Sequence, residues 1–292
     1  MNEFLDYLKL NKKASENTLL AYKRDIAAFE AFIGENRGKS LSECSESDAV
    51  AYAMELANSG KSKSTVNRKV SALRTYYEHK MNLGEREDNP FAKVKTAKNE
   101  ARQIEYLSIE EVEKLLELPD ESKKGKRDKA LLEFMYGTGA RVTEIVRLRY
   151  EDINLKMSFA TLRDADDASR IVPLGRYARA AMESYLEDSY SAIMGREPAA
   201  GDYIFVNMRG EVLTRQGIWK VLKDYGELIG IGERMTPQIL RDTYAVHILK
   251  NGGDLKTLQE LMGFDDMSVG IAYLAVTDIH VREVFARCHP RA

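Results

Sequence analysis

A chain of 292 residues has room for two domains at roughly 100–200 residues each. With 44% hydrophobic and 31% charged residues it can bury sizeable cores, and no apolar run approaches the ~20 residues that a bilayer crossing needs. The net charge of −2 argues against a uniformly basic nucleic-acid binder, so any such contact has to come from local patches.

The N-terminus carries an amphipathic pattern (Phe4, Leu5, Tyr7, Leu8, Leu10) with no cleavable signal, which reads as cytoplasmic. Ser15 or Asn17 caps a helix through T-L-L-A-Y-K-R-D-I-A-A-F-E-A-F-I, and Ser47 or Ser45 opens a second through Val50 and Met54. Ser64 opens a third, in which Val66, Val70, Leu73 and Tyr77 face a core while Asn67, Arg68, Ser71 and Arg74 point outward. From Leu56 to Tyr77 there is no acidic residue, whereas Lys61, Lys63, Arg68, Lys69 and Arg74 all fall in that stretch. This makes the third helix the candidate for a DNA major groove, since a helix fits the groove and arginines read guanine edges or clamp phosphates. A run of charge by itself is more often a solvated face.

After Asn89-Pro90 the polar segment K-V-K-T-A-K-N-E-A-R-Q-I has no apolar period and reads as a linker. Ser108-Ile-Glu-Glu is a capping box that opens the next helix. Helices are expected near 108–117 and 125–136, then from Arg141 to Arg147 after the turn Gly137-Thr138-Gly139. That turn lacks the Gly-Lys-Ser/Thr of a nucleotide-binding loop. S-F-A-T-L-R-D-A-D-D-A-S-R-I-V-P-L alternates apolar and polar residues around D-A-D-D, the one convincing β-hairpin signal. Helices follow at 174–188, 214–229, 236–250 and 254–262, and Thr214 caps one that presents Arg215, Gln216 and Lys220, with Trp219 read as a packing residue. Cys44 and Cys288 fall in separate domains without a Cys/His cluster and read as free thiols, with no metal site.

Arg141 in G-T-G-A-R-V-T-E-I-V-R-L, Arg241 in T-P-Q-I-L-R-D-T-Y-A-V-H and Tyr273, nine residues past Phe264 in L-M-G-F, are the parts needed to attack a phosphodiester without metal. An arginine grips phosphate oxygens through a planar fork, and a phenol supplies a covalent nucleophile. In order, spacing and flanking residues these motifs resemble the tyrosine recombinases, most closely the bacterial XerC/XerD branch. The N-terminal F-L-D-Y-L-K-L-N-K-K-A-S-E-N-T-L-L-A-Y-K-R-D-I-A-A-F and the closing C-H-P-R-A extend the likeness over nearly the whole chain.

The resemblance implies a mainly α protein: an N-terminal helical, SAM-like core-binding domain (1–95), a linker (96–105) and an α-rich catalytic domain (106–292) with a small antiparallel β-sheet. It implies Arg141, Arg241 and the nucleophile Tyr273 as catalytic residues, with Glu144 buttressing Arg141. Lys63, Arg68, Arg74, Arg215, Gln216 and Lys220 become the DNA-contact candidates. It further implies strand cleavage and rejoining through a 3′-phosphotyrosine with no cofactor, on double-stranded DNA gripped by a C-shaped clamp. The synaptic assembly would be a homo- or hetero-tetramer in which V-R-E-V-F-A-R docks on a neighbouring subunit.

Three positions depart from the family pattern. Ala165, between Asp164 and Asp166, stands where the hairpin carries a catalytic lysine; Gln238 stands in place of a histidine; Phe264 stands in place of His or Trp. Asp242 occupies a position where histidine or aspartate is common, Arg163 is a nearby cation that could reach in, and His247 reads as structural. A positioned acid or base contributes roughly 10²–10⁴-fold, so the expectation is a site able to orient a phosphate but poorly equipped for proton transfer. The alternatives are a DNA-binding paralogue without strand cleavage and, from another class, a helical scaffold with no DNA role. Chromosome-dimer resolution and mobile-element movement both remain open as the task.

Overall fold

The computed structural model describes residues 1–12, 14–96, 103–165, 167–276 and 286, and the chain divides into two compact units, Met1–Arg102 and Gln103–Ala292. The tail segment V-R-E-V-F-A-R, apart from Ala286, lies outside the described residues, as do Cys288 and Asp166.

The first unit is built from α1 (Asn2–Asn11), α2 (Glu16–Arg37), α3 (Glu46–Asn58) and α4 (Lys63–Asn82). Ser15 caps α2 by accepting from the Thr18 amide, and Ser45 caps α3 with Asp48 closing the box. Ser62, not Ser64, caps α4 and accepts from the Thr65 amide, so the helix starts at Lys63, two residues earlier than a Ser64 cap would place it. Ile26, Phe29 and Ile33 from α2, Tyr52 and Leu56 from α3, and Val70, Leu73 and Tyr77 from α4 interlock around Phe91. Helical spacing on each segment supplies these faces. On α3, however, the buried face is Ala49, Tyr52 and Leu56, while Val50 and Met54 are exposed. Apolar character alone does not predict that face, which carries the aromatic Tyr52, its ring tilted against Phe29 at 4.9 Å between centroids.

The second unit comprises α5 (Ile109–Glu117), α6 (Lys123–Thr138), α7 (Val142–Arg147), β1 (Ile153–Asn154), β2 (Phe159–Arg163), β3 (Ser169–Pro173) and α8 (Arg176–Ser184). A π-helical turn, Tyr185–Tyr190, leads to α9 (Ser191–Met194), followed by α10 (Arg215–Leu228), α11 (Pro237–Lys250), α12 (Leu255–Met262) and α13 (Met267–Leu274). Helix α6 lies at its centre, with Ala130, Leu131, Leu132, Phe134 and Met135 all buried against α8, the π turn and α11. The hairpin pairs antiparallel, Ala160 opposite Val172 and Leu162 opposite Arg170, and the short β1, which carries no sequence signal, extends it to a three-stranded sheet in the order β1-β2-β3. Ile104, in the segment read as linker, is buried with Tyr244, Val246 and Leu258 in the second unit. Among the described residues no helix is long and apolar enough to cross a membrane, and no group of three His, Cys, Asp or Glu side chains gathers as a metal site would require.

Candidate active site

Helix α11 runs through the interior, with every residue from Ile239 to His247 buried. Two of these, Arg241 and Asp242, carry charge, and a buried charge is tolerated only when it is paired or fully hydrogen-bonded. Arg241 donates to the carbonyl of Gly139 and, at 2.6 Å, to that of Met262. Burial first, and then the neighbouring Arg141, push its guanidinium down to about 10, so it remains a cation at neutral pH. Gly139 is also where the Tyr244 ring packs close to the backbone. It closes α6 at φ +60°, and a Cβ there would lie 2.5 Å from the Tyr244 ring.

Arg141 is the N-cap residue of α7 and is held from two sides. Its Nη1 donates to Glu144 Oε1 at 3.0 Å and its Nη2 donates to the Gly263 carbonyl at 2.7 Å. Glu144 is 1% exposed, so the surface i,i+3 pair that the spacing also allows is ruled out. Its carboxylate accepts a forked pair of bonds from Arg170 of β3, with Nη2 at 2.9 Å from Oε2, as well as the Arg141 backbone N–H at 2.6 Å. Burial pushes the Glu144 carboxyl up, but Arg170 and Arg141 outweigh it and hold the group below the ordinary glutamate value.

Arg170 also donates Nε to the Leu261 carbonyl at 2.8 Å, joining β3, α7 and the end of α12. Gly263, at φ +62°, leaves room for this arrangement: a Cβ would come within 3.1 Å of Arg170 Cδ. The two catalytic candidates thus grip successive carbonyls, Met262 and Gly263. Both line one pocket of about 360 Å³, together with Gln238, Thr236, Arg215 and Trp219. Trp219, expected to pack, is 46% exposed on that wall. Arg215, Gln216 and Lys220 are exposed on the same first turns of α10, which Thr214 caps by accepting from the Gly217 amide at 3.0 Å.

Tyr273 is buried at 3% exposure and is not among the residues on the pocket wall. Its hydroxyl donates to Asp242 Oδ1 at 2.7 Å, and Gln238 Nε2 donates to the same oxygen at 2.9 Å. The Tyr273 ring stacks on Phe264 at 6.0 Å, and Phe264 in turn lies under the Arg241 guanidinium at 5.8 Å.

The remaining candidates are placed as follows. Ala165 is exposed at the hairpin tip, where Arg147 Nη1 donates to the carbonyls of Asp164 at 2.8 Å and Ala165 at 3.2 Å. Arg163 does not reach in: its Nη2 is bound to the buried Asp152 at 2.6 Å. His247 is a core residue bonded to Tyr136 at 3.0 Å, and burial lowers its basicity.

On α4, Lys63 is exposed and Arg68 pairs with the buried Asp25 of α2 while staying half in solvent. Arg74 does not point outward. Its Nε and Nη2 donate to the carbonyls of Phe91 and Val94 at 3.1 and 2.9 Å, tying the end of the unit to the helix. A helical wheel gives the direction of Cβ, but a long guanidinium on the flank can turn back to unsatisfied carbonyls.

Sequence reasoning missed the roles of Arg170, Arg147 and Asp242. For Arg170 a signal was available, since strand alternation puts it on the same face as the buried Val172, with Ile171 outward.

Fold and site together define a helical protein with a paired-arginine pocket and a tyrosine beside it. The phage integrase family matches residues 105–280, and the phage integrase N-terminal SAM-like domain matches residues 1–84. The tyrosine recombinase XerD of Listeria innocua is 36% identical over 294 residues, covering 100% of this chain and 99% of that protein. A crystal structure of XerA recombinase is 25% identical with a TM-score of 0.55, covering 100% and 99% of the two chains. XerH site-specific recombinase, bound to palindromic difH substrate in a post-cleavage complex, shares the fold at 19% identity with a TM-score of 0.76, over 91% of this chain and 78% of that one. The chain belongs to the phage integrase family, the tyrosine recombinases.

Proposed function

We propose that this protein is a site-specific DNA recombinase of the XerD type, in which Tyr273 attacks a phosphate held by Arg141 and Arg241 and forms a 3′-phosphotyrosine. The single observation that carries the reading is the convergence of the two guanidiniums on one pocket, each fixed by a backbone carbonyl of the same turn. Such preorganised donors lower the energy of a developing phosphorane charge without reorganisation. The 3′-phosphotyrosine retains the energy of the broken phosphodiester, so rejoining needs neither nucleotide nor metal.

In the second unit Arg215, Gln216 and Lys220, and in the first unit, taken by itself, the exposed side of α4 with Lys63 and Arg68, supply contacts to the flanking duplex, with Arg74 assigned to structure. The working assembly in this reading is a tetramer on DNA, homomeric or with a second recombinase, in the cytoplasm. With Ala165 and Gln238 at the acid and base positions, strand cleavage by the isolated chain is slow and conditional on synapsis.

The test begins with a duplex selected from a random pool for tight binding to the full chain. That duplex is then nicked beside the candidate scissile phosphates, so that a covalent intermediate accumulates. Adduct from the wild type and none from Tyr273→Phe is the expected result. Tight binding with no adduct in any nicked design refutes cleavage by this chain, and adduct in Tyr273→Phe refutes this nucleophile.

A further inference from the structure

The proton of the attacking phenol needs somewhere to go, and the side chains at the usual proton-transfer positions cannot take it: Ala165 is a methyl group and Gln238 an amide. A carboxylate is already bonded to that proton. Tyr273 Oη donates to Asp242 Oδ1 at 2.7 Å, inside a site where Asp242 is 1% exposed. The same oxygen accepts Gln238 Nε2 at 2.9 Å, so two donors fix its place. Gln238 forms part of the arginine pocket wall. Tyr273 is therefore linked to the pocket wall through Asp242 and Gln238.

We propose that Asp242 is a catalytic residue, the general base for Tyr273, and that Gln238 is a positioning residue which holds the carboxylate by its oxygen Oδ1. This rests on the recombinase reading above. As the bond from Tyr273 Oη to phosphorus forms, the phenolic proton passes to Asp242. The bond from phosphorus to the 5′ oxygen breaks with its electron pair on that oxygen, which takes a proton from water. The hydroxide left behind is neutralised by the proton that Asp242 received, so one phenol becomes one phosphotyrosine and one 5′ hydroxyl is released. In rejoining, the 5′ hydroxyl attacks phosphorus and gives up its proton, through water, to Asp242, which passes it to the departing phenolate. Asp242 is next to Arg241 in the chain, so the groups that hold the phosphate and accept the proton move together on one rigid helix.

The experiment uses the full chain and the selected nicked duplex in two forms, one with the normal 5′ oxygen and one with a 5′-bridging sulfur, which leaves without a proton. Single-turnover adduct formation is compared for wild type, Asp242→Asn and Asp242→Glu, with duplex binding and thermal unfolding as controls. Asp242→Asn should slow adduct formation about 10²-fold on both substrates, because the lost step is at the nucleophile, while Asp242→Glu should recover a large part of the rate. Asp242→Ser supplies the same comparison should the asparagine variant fail to bind. Cleavage by Asp242→Asn at the wild-type rate, or faster, would overturn the proposal and leave Asp242 as a restraint on the tyrosine. A deficit that vanishes on the sulfur-bridged duplex would overturn it too, moving Asp242 to the leaving group. No adduct from the wild type on either substrate defeats the recombinase reading first, and this assignment with it.

Discussion

Arg74 and Arg241 sit on helices in different units, and both give guanidinium N–H groups to two backbone carbonyls, Phe91 and Val94 in one case, Gly139 and Met262 in the other. The bonding is alike but the surroundings are not. Arg74 closes the end of a helical unit, and its bonds satisfy carbonyls that would otherwise need water. Arg241 is almost wholly buried, yet it still lines a pocket shared with a second arginine. Carbonyl bonds immobilise a guanidinium; what gives it a reaction to perform is a second cation nearby and an open space between them.

The sharpest way to break this comparison is a charge-conserving change at both positions. Arg241→Lys keeps the charge but loses the fork, and adduct formation on the selected duplex should fall by roughly 10²–10³-fold. Arg74→Lys should leave the rate per folded molecule unchanged. Equal losses at the two positions would remove the distinction.

Glu144 extends the contrast to stability, because its carboxylate is buried between Arg141 and Arg170. Glu144→Gln strands buried positive charge and should cost roughly 3–5 kcal/mol in urea unfolding at neutral pH. Its folded-state pKa is depressed, so its contribution is complete above the unfolded glutamate value of ~4.3 and is lost as pH falls through the folded value. The variant should accordingly lose less stability on acidification than the wild type. A parallel loss in both would place the acid-sensitive group elsewhere.

Restoring a proton-transfer group asks whether the pocket already has the charge stabilisation it needs. Ala165→Lys, which leaves the bond from Gln238 to Asp242 in place, should speed adduct formation by about 10²-fold at most. The hairpin tip must release Arg147 from the carbonyls of Asp164 and Ala165 before a lysine can reach in, which limits the gain. No acceleration, with binding intact, would mean that the acid's place is already filled.

The smallest effects separate DNA contact from structure. Arg215→Ala and Lys220→Ala should each flatten the slope of log affinity against log salt by about 0.9, the value of one neutralised phosphate. Arg74→Ala should leave that slope alone and cost about 2 kcal/mol of stability through two charge-assisted bonds. A flattened slope for Arg74→Ala would return it to the DNA-binding face.

Helix starts were legible because their chemistry is local: Ser108 with Glu111 and Thr214 with Gly217 act within one turn. The hairpin was legible for the same reason, by period-two alternation from Phe159 to Arg163 and Ser169 to Pro173. Arg141, Arg241 and Tyr273 stood out through motif and order. Partner choice was not legible. Arg163 took Asp152 rather than the pocket, Trp219 stayed exposed on the pocket wall, and Arg170 became the counterion of Glu144.

By itself, then, the sequence determined most of the helices, the hairpin and the family motifs, because each is written in residues a few places apart. Only the tertiary structure decided which charges meet. Arg141 bonds a carbonyl 122 residues away, Arg170 a carbonyl 91 residues away, and Tyr273 a carboxylate 31 residues away. Inside a low-dielectric core an unpaired charge is too costly to keep, so burial forces these pairings, and no local pattern records them.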